Sequence, residues 1–282
     1  MEAYRFSGSV ADYKGDPTSK AAKSLLGGKG AGLTMMAQQG LNVPPGFTIP
    51  TTVCNAWRKL ETEPQRVTFM DGLMKDVMEH MKWLEGLFGY RPLVSVRSGA
   101  PISMPGMMDT ILNVGLCHAN IEDWQQRIGT RATADSVRRL IQMLGSTGYG
   151  VPMEVFYFQL AKVKKEAGKT ADTDLTALEL DKVSDRYIEA FNKNTGYVFP
   201  IDDPEHQLRV AIRAVFDSWM NPPRDRVPQD QQDRRGDGHG GQRPGDCVRQ
   251  HGRGQRDRRP VLPRSLDRRE RHDGRVPDQC PG

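Results

Sequence analysis

The sequence predicts an α/β (α+β) chain with a helical subdomain and a disordered C-terminal tail, and three observations carry that prediction. Over residues 1–115, short apolar runs alternate with helical stretches, punctuated by glycine and proline turns. Over residues 119–222, apolar side chains recur at helical spacing instead. After residue 222 the apolar patterning stops. The expected parts are therefore 1–118, 119–222 and 223–282.

The first part holds the chemistry. In Leu93–Gly115, LVSVRSGAPISMPGMMDTILNVG, an apolar strand (Leu93, Val94, Val96) delivers Arg97 into a loop of small residues. The loop contains Ser98, Gly99, Ser103, Pro105 and Gly106, and a Met-Met-Asp-Thr turn ending at Asp109 and Thr110 leads into a second apolar stretch. Glycines leave backbone N–H groups unshielded and let a polyphosphate come close. An arginine at the root of such a loop is a permanently charged, bidentate phosphate ligand. Read alone, the segment fits either a phosphate loop or a surface turn whose arginine makes a structural ion pair.

A second segment, SLLGGKGAGLTMMAQQGLNVPPGFTIP, places Gly27, Gly28, Lys29, Gly30 and Gly32 just before a helix with Leu33, Met36 and Ala37 on one face. That helix is expected to stop at Gly40, with VPPGFTIP turning into a strand. A lysine among glycines at a helix N-terminus suits an anion, because free N–H groups and the helix dipole both point at it. The familiar fingerprints fail here. Gly30 stands where a P-loop wants Ser or Thr, and Leu33 where a dinucleotide motif wants its last glycine.

The second part reads as helices. Val137, Leu140, Ile141 and Leu144 form one stripe ending at Gly145. Thr176 and Glu179 match a capping box, and Val183, Tyr187, Ile188 and Phe191 continue that helix to Gly196. Asp203-Pro204 reads as an N-cap and first turn, opening a helix with Leu208, Ile212, Val215 and Trp219. Phe156, Tyr157 and Phe158 read as packing residues, and His80, His118 and His206 as structural or surface residues.

Composition narrows the function classes. No apolar run reaches membrane-spanning length, and MEAYRFSGSVADYKGD lacks the basic and apolar regions of a signal peptide. Cys54, Cys117, Cys247 and Cys280 share no metal-ligand spacing, so no protein-held metal is expected and a reduced, cytoplasmic chain is the default. The formal charge is +5, and residues 223–282 hold all of that excess, with 15 Arg, 9 Asp, 1 Glu and no Lys. A specific nucleic-acid function for the body is therefore not expected.

Together, in this order, the two glycine-rich segments resemble the N-terminal nucleotide-binding domain of pyruvate, phosphate dikinase, over roughly residues 4–222. RSGAPISMPGMMDTILNVG is close to that family's signature, and LLGGKGAGL followed by GLNVPPGFTI is nearly as specific. Phosphoenolpyruvate synthases and glucan water dikinases share the ATP-binding fold but typically lack the SMPGMMDT wording, and they stand as the alternative. The resemblance implies an incomplete ATP-grasp fold, ATP and Mg²⁺ as cofactors of the full-length family, and a nucleotide as partner. It makes Lys29 and Arg97 the phosphate-binding pair and closes Ser98–Thr110 over the triphosphate, with Ser98, Gly99, Gly106, Asp109 and Thr110 as cofactor-binding residues. The intact family is a homodimer, and self-association of this chain is expected from its missing half.

The tail has two readings. Arg, Asp, Gly, Gln and Pro dominate it, and it holds no Ala, Ile, Lys, Met, Asn, Thr, Phe, Tyr or Trp, as in a disordered polyanion-binding arm. The genetic code offers the other: a gene read one nucleotide out of frame from Pro222-Pro223. Shifted by one base, the codons for Pro223 to Gln232 permit RAIVYRKINK, those for Val248 to His251 permit FGNM, and those for Asp257 to Val261 permit TGVLF. These are the family's words in the family's order, and its INAQG and GEYL segments are permitted as well. GC-rich codons out of frame also produce the Arg, Gly, Pro and Asp bias. The family's acidic, metal-facing half then lies in the unused frame, and its phosphohistidine and pyruvate-binding domains are absent; His239, His251 and His272 fall in no matching motif. A fragment of this kind is expected to have no turnover of its own.

Overall fold

A computed structural model describes residues 3–99 and 110–219, all within one unit that spans Met1–Arg235. The tail from 223 onward and loop residues 100–109 lie outside the described residues.

The chain opens with β1 (Tyr4–Gly8) and β2 (Val10–Ala11), then α1 (Lys20–Gln38) and β3 (Val43–Thr48). These strands form an antiparallel sheet in the order β2-β1-β3. The β1/β3 register slips between Phe6 and Gly8, opposite Pro44 and Pro45. Prolines have no N–H to give to a ladder and are tolerated on an edge strand such as β3. VPPGFT is thus strand from its first residue rather than a turn leading into one. Phe6, Ala11, Ala37 and Val43 form a small core between this sheet and α1.

Next come α2 (Thr51–Trp57) and α3 (Glu63–Phe88), the latter 26 residues long. A capping box between Thr62 and Gln65 starts α3, proline occupies its first turn, and Gly89 ends it at φ 71. β4 (Val94–Val96) and β5 (Ile111–Val114) follow as an antiparallel hairpin, pairing Val94 with Val114 and Val96 with Ile111. The helices α4 (Ile121–Ile128), α5 (Thr130–Met143), α6 (Met153–Glu166), α7 (Ala177–Thr195) and α8 (Pro204–Ser218) complete the described chain. A π-helical turn over Leu144–Gly148 extends α5 past the expected stop.

The caps read from sequence are present. Thr176 and Glu179 bond reciprocally at the start of α7, where Lys169 and Thr176 hold the Glu179 carboxyl down to about 2. Gly196 ends α7 at φ 74. Asp203 accepts the His206 N–H at the start of α8, with proline in the first turn.

The main core runs from Val53 to Phe216 and joins α2, α3, the β4–β5 hairpin and the helices α5 to α8. Trp57, Met74, Leu84, Ile111, Leu140, Phe156, Tyr187 and Phe191 are its largest fully buried side chains. One expectation is corrected here. Of the aromatic run, Phe156 is core, while Tyr157 and Phe158 are exposed, because three consecutive helical residues cannot all face one side. The apolar face of α8 is covered, with Leu208, Ala211, Ile212 and Phe216 all buried. Arg209 pairs with Asp71 and Arg213 grips Glu63 with two bonds, fastening α8 to α3.

Candidate functional site

Within α1, Gly27 breaks the helix: it adopts φ 70, ψ 169 between two helical segments. Ser19 caps the first segment by accepting the Ala22 N–H, and Gly28 opens the second. Lys29 therefore stands inside the first turn of a helix, where the glycine pattern predicts a loop ahead of it. The preceding segment from Lys20 is an addition that sequence reasoning missed. Only glycine takes that φ without strain. It also sits where no side chain fits, since a Cβ on Gly27 would lie 1.9 Å from the Gly99 carbonyl oxygen.

That contact joins the two glycine-rich segments. A Cβ on Gly99 would in turn lie 3.9 Å from the Lys29 Cβ and 3.7 Å from the Leu26 carbonyl oxygen. The arginine loop thus leaves its strand directly against the break in α1, beside Lys29. Gly30 sits tight on β3, where a Cβ would come within 2.8 Å of the Thr48 side chain. The second half of α1 is consequently wedged between β3 and the arginine loop.

The hairpin register brings the two ends of that loop together. Val96 is paired with Ile111, so Arg97 and Thr110 flank the loop's mouth. Arg97 and Lys29 are exposed, Ser98 is buried, and Gly99 and Thr110 are half-buried. Gly106 and Asp109 lie outside the described residues. Among the described residues neither Lys29 nor Arg97 has an ion pair, so each exposes its cation without a protein counter-charge, Lys29 from the first turn of a helix. Such a surface attracts an anion.

Two further residues near the candidate site carried no sequence signal of such a place, Trp219 reading only as part of an apolar helix face. Gln207 is fully buried in α8; its Oε1 accepts the Gly115 N–H at 3.0 Å, and its Nε2 donates to the carbonyls of Leu116, Pro200 and Ile201. Trp219, the C-cap of α8, donates its indole N–H to Ser98 Oγ at 3.0 Å. One helix therefore touches the hairpin just past β5 and just past β4.

The histidines keep structural or surface places. His80 stacks on Phe47 and its Nδ1 accepts from Arg5 Nε at 2.9 Å, while His118 pairs with Asp202 and His206 meets the Tyr149 hydroxyl at the surface. Cys54 and Cys117 are free and buried. Among the described residues no group of three or more His, Cys, Asp or Glu is placed to hold a metal ion, and no helix is long and apolar enough to cross a membrane.

No family model matches the chain. Curated relatives do. Pyruvate, phosphate dikinase 2 of Zea mays is 41% identical over 211 residues, which is 72% of this chain and 23% of that protein. The chloroplastic pyruvate, phosphate dikinase of Mesembryanthemum crystallinum is 42% identical over 72% of this chain and 22% of its own length. Chloroplastic pyruvate, phosphate dikinase 1 of Arabidopsis thaliana is 41% identical over 72% of this chain and 21% of its own. The chain spans about a fifth of the length of the curated relatives it matches. Over the aligned 211 residues, this chain belongs to the pyruvate, phosphate dikinase family and corresponds to a part of its members.

Proposed function

We propose that this chain is a polyphosphate-gripping, ATP-binding portion of a pyruvate, phosphate dikinase-like phosphotransferase, with an incomplete ATP-grasp fold and no turnover of its own. The observation that carries the reading is the contact of Gly27 with Gly99, which sets Lys29 beside the root of the arginine loop. Lys29 and Arg97 would bind phosphate oxygens, and N–H groups at the start of the second α1 segment would add neutral donors. Gly99 leaves room for the triphosphate, and Gly106, Asp109 and Thr110 belong to the loop that would cover it. Mg²⁺, implied by the family, would supply positive charge against the triphosphate and would need carboxylate ligands to hold it. The family's acidic half lies in the frame this chain does not use, which is why turnover is not expected of it.

Calorimetric titration with Mg-ATP and with inorganic tripolyphosphate tests the reading. A charge-assisted contact is worth about 1.5–3 kcal/mol, so Lys29→Ala and Arg97→Ala should each weaken binding about tenfold or more. Arg97→Lys should recover only part of the loss, because the bidentate fork is gone. Alanine variants that both bind as tightly as the parent sink the assignment.

The full-length reaction, conversion of ATP, phosphate and pyruvate to AMP, pyrophosphate and phosphoenolpyruvate, is proposed for the intact relatives of this chain, as is the homodimer; a cytoplasmic place is proposed for this chain itself. Free thiols at Cys54 and Cys117 support a reducing compartment. We further infer that the residues after Pro222 are encoded out of frame. The codon-level match to the family's own wording on both sides of that point supports this. The coding DNA read in all three frames decides it: an open frame continuing the family's sequence is expected, and its absence overturns the inference.

A further inference from the structure

We infer that Trp219 is a positioning residue for the phosphate site, acting through Ser98 on the arginine loop; the inference rests on the polyphosphate reading above. Ser98 lies between the two residues that make the site, Arg97 before it and Gly99 after it. It is almost completely buried, at 3% exposure, whereas Arg97 next to it is exposed. The loop is thus anchored at Ser98 and free to present its cation one residue earlier. One anchor is the indole N–H of Trp219, 3.0 Å from Ser98 Oγ and 121 residues away in the chain.

The helix that carries Trp219 is itself fixed. Trp57 donates its indole N–H to Asp217 Oδ1 at 2.9 Å, holding the last turn of α8 against α2. Arg213 bonds Glu63 in α3, and Gln207 holds the hairpin beyond β5. Trp219 therefore reaches Ser98 from a helix immobilised at three points. A hydrogen bond from a rigid element restricts the peptide units on either side of Ser98, and these set the direction of the Arg97 side chain and the contact of Gly99 with Gly27. Ordering of this kind lowers the entropy lost when a flexible arginine closes on phosphate.

The test uses the full chain and inorganic tripolyphosphate. Trp219→Phe keeps an aromatic ring and removes the donor, and Ser98→Ala removes the acceptor. Each should weaken tripolyphosphate binding about fivefold at a temperature well below either variant's melt, as expected for loss of one neutral hydrogen bond. The double variant should bind no more weakly than Ser98→Ala alone, because Ser98→Ala already breaks the bond that Trp219→Phe removes. A second readout follows the Trp219 indole resonance in ¹⁵N-labelled protein, assigned by its loss in Trp219→Phe. It should move upfield in Ser98→Ala, and it should shift on tripolyphosphate addition in the parent but not in Ser98→Ala.

If the parent itself does not bind tripolyphosphate, the reading of the site fails and this inference falls with it. If the parent binds and both single variants bind equally well, or their losses multiply in the double variant, Trp219 does not act through Ser98. Should Trp219→Phe not fold, Ser98→Ala and the indole resonance decide alone. An indole signal that ignores both the Ser98→Ala change and the added tripolyphosphate overturns the inference.

Discussion

At the scale of single residues, Gly27 and His80 show how backbone and protonation constrain the body. Gly27→Ala faces two independent obstacles: a φ of 70, and a Cβ that would stand 1.9 Å from a backbone oxygen of Gly99. The left-handed conformation alone costs about 1–2 kcal/mol, and the overlap forces the two segments apart. Gly27→Ala should lower the melting temperature and also weaken tripolyphosphate binding, whereas Gly32→Ala, with open space around it, should do neither. Parallel thermal melts and titrations check this pair. His80 is held neutral by its surroundings: burial first, then the Arg5 charge, push its pKa below the ordinary 6.5, against weaker opposing pulls from Asp12 and Asp76. Its Nδ1 must be unprotonated to accept from Arg5 Nε. The unfolded chain therefore takes up a proton at higher pH than the folded one. Stability is complete above about 6.5 and falls as the pH drops through that value toward the folded pKa. Melting temperatures taken from about pH 8 to pH 5 should decline, and His80→Gln should flatten the part of that decline nearest pH 6.

At the scale of elements, α8 is the piece on which the hairpin depends. Gln207→Leu keeps the side chain's bulk but strands the Gly115 N–H and the carbonyls of Leu116, Pro200 and Ile201. A buried polar group left without its partner costs about 1–3 kcal/mol, so this single change should be among the more damaging in α8. Chemical denaturation should show a lower midpoint with an unchanged slope. Elements of this kind divide by how local their signals are. The β4 strand, the last turns of α1 before Gly40, the capping box at Thr176 and the Asp203-Pro204 start of α8 were legible because each is written within a few residues. The longest helix, α3, was not singled out, although Thr62, Gln65 and the stripe Met70, Leu73, Met74, Val77, Met81 and Leu84 spell it. Methionines and a mid-helix Gly72 blunt the apolar pattern there. The family's motif words single out Lys29 and Arg97 as candidates, yet the contact between their two segments is Gly27 on Gly99, 72 positions away, which no local pattern encodes. Gln207 and Trp219 escaped for the same reason. Their side chains matter through partners about 90 and 121 residues distant.

At the scale of the whole molecule, the question is what the residues after Pro222 contribute. Both described cores are built from side chains between Phe6 and Phe216, and the apolar face of α8 is already covered. Ending the chain at Pro222 should therefore leave the melting temperature nearly unchanged. The removed segment carries the molecule's entire net positive charge, so any affinity for nucleic acid should vanish with it and, before that, should fall steeply with added salt. Tripolyphosphate binding should survive the truncation, because Lys29, Arg97, Ser98 and Trp219 all remain. Removing one base at the Pro222-Pro223 codons makes a third protein with the same body and the other reading frame. That protein should bind Mg-ATP more tightly than the truncated one, with a gain that depends on Mg²⁺, since carboxylates opposite the cationic loop act through the metal. Tripolyphosphate without metal should show little of this gain. The exposed side chains Phe158, Leu178, Tyr197 and Val198 are common to all three proteins, so association driven by them should be common to all three in size-exclusion chromatography. Association confined to the shifted and truncated forms would instead show that the restored frame covers part of the body. Equal Mg-ATP affinity in all three would show that the frame after Pro222 adds nothing to the site, and the out-of-frame account of the missing half would fail.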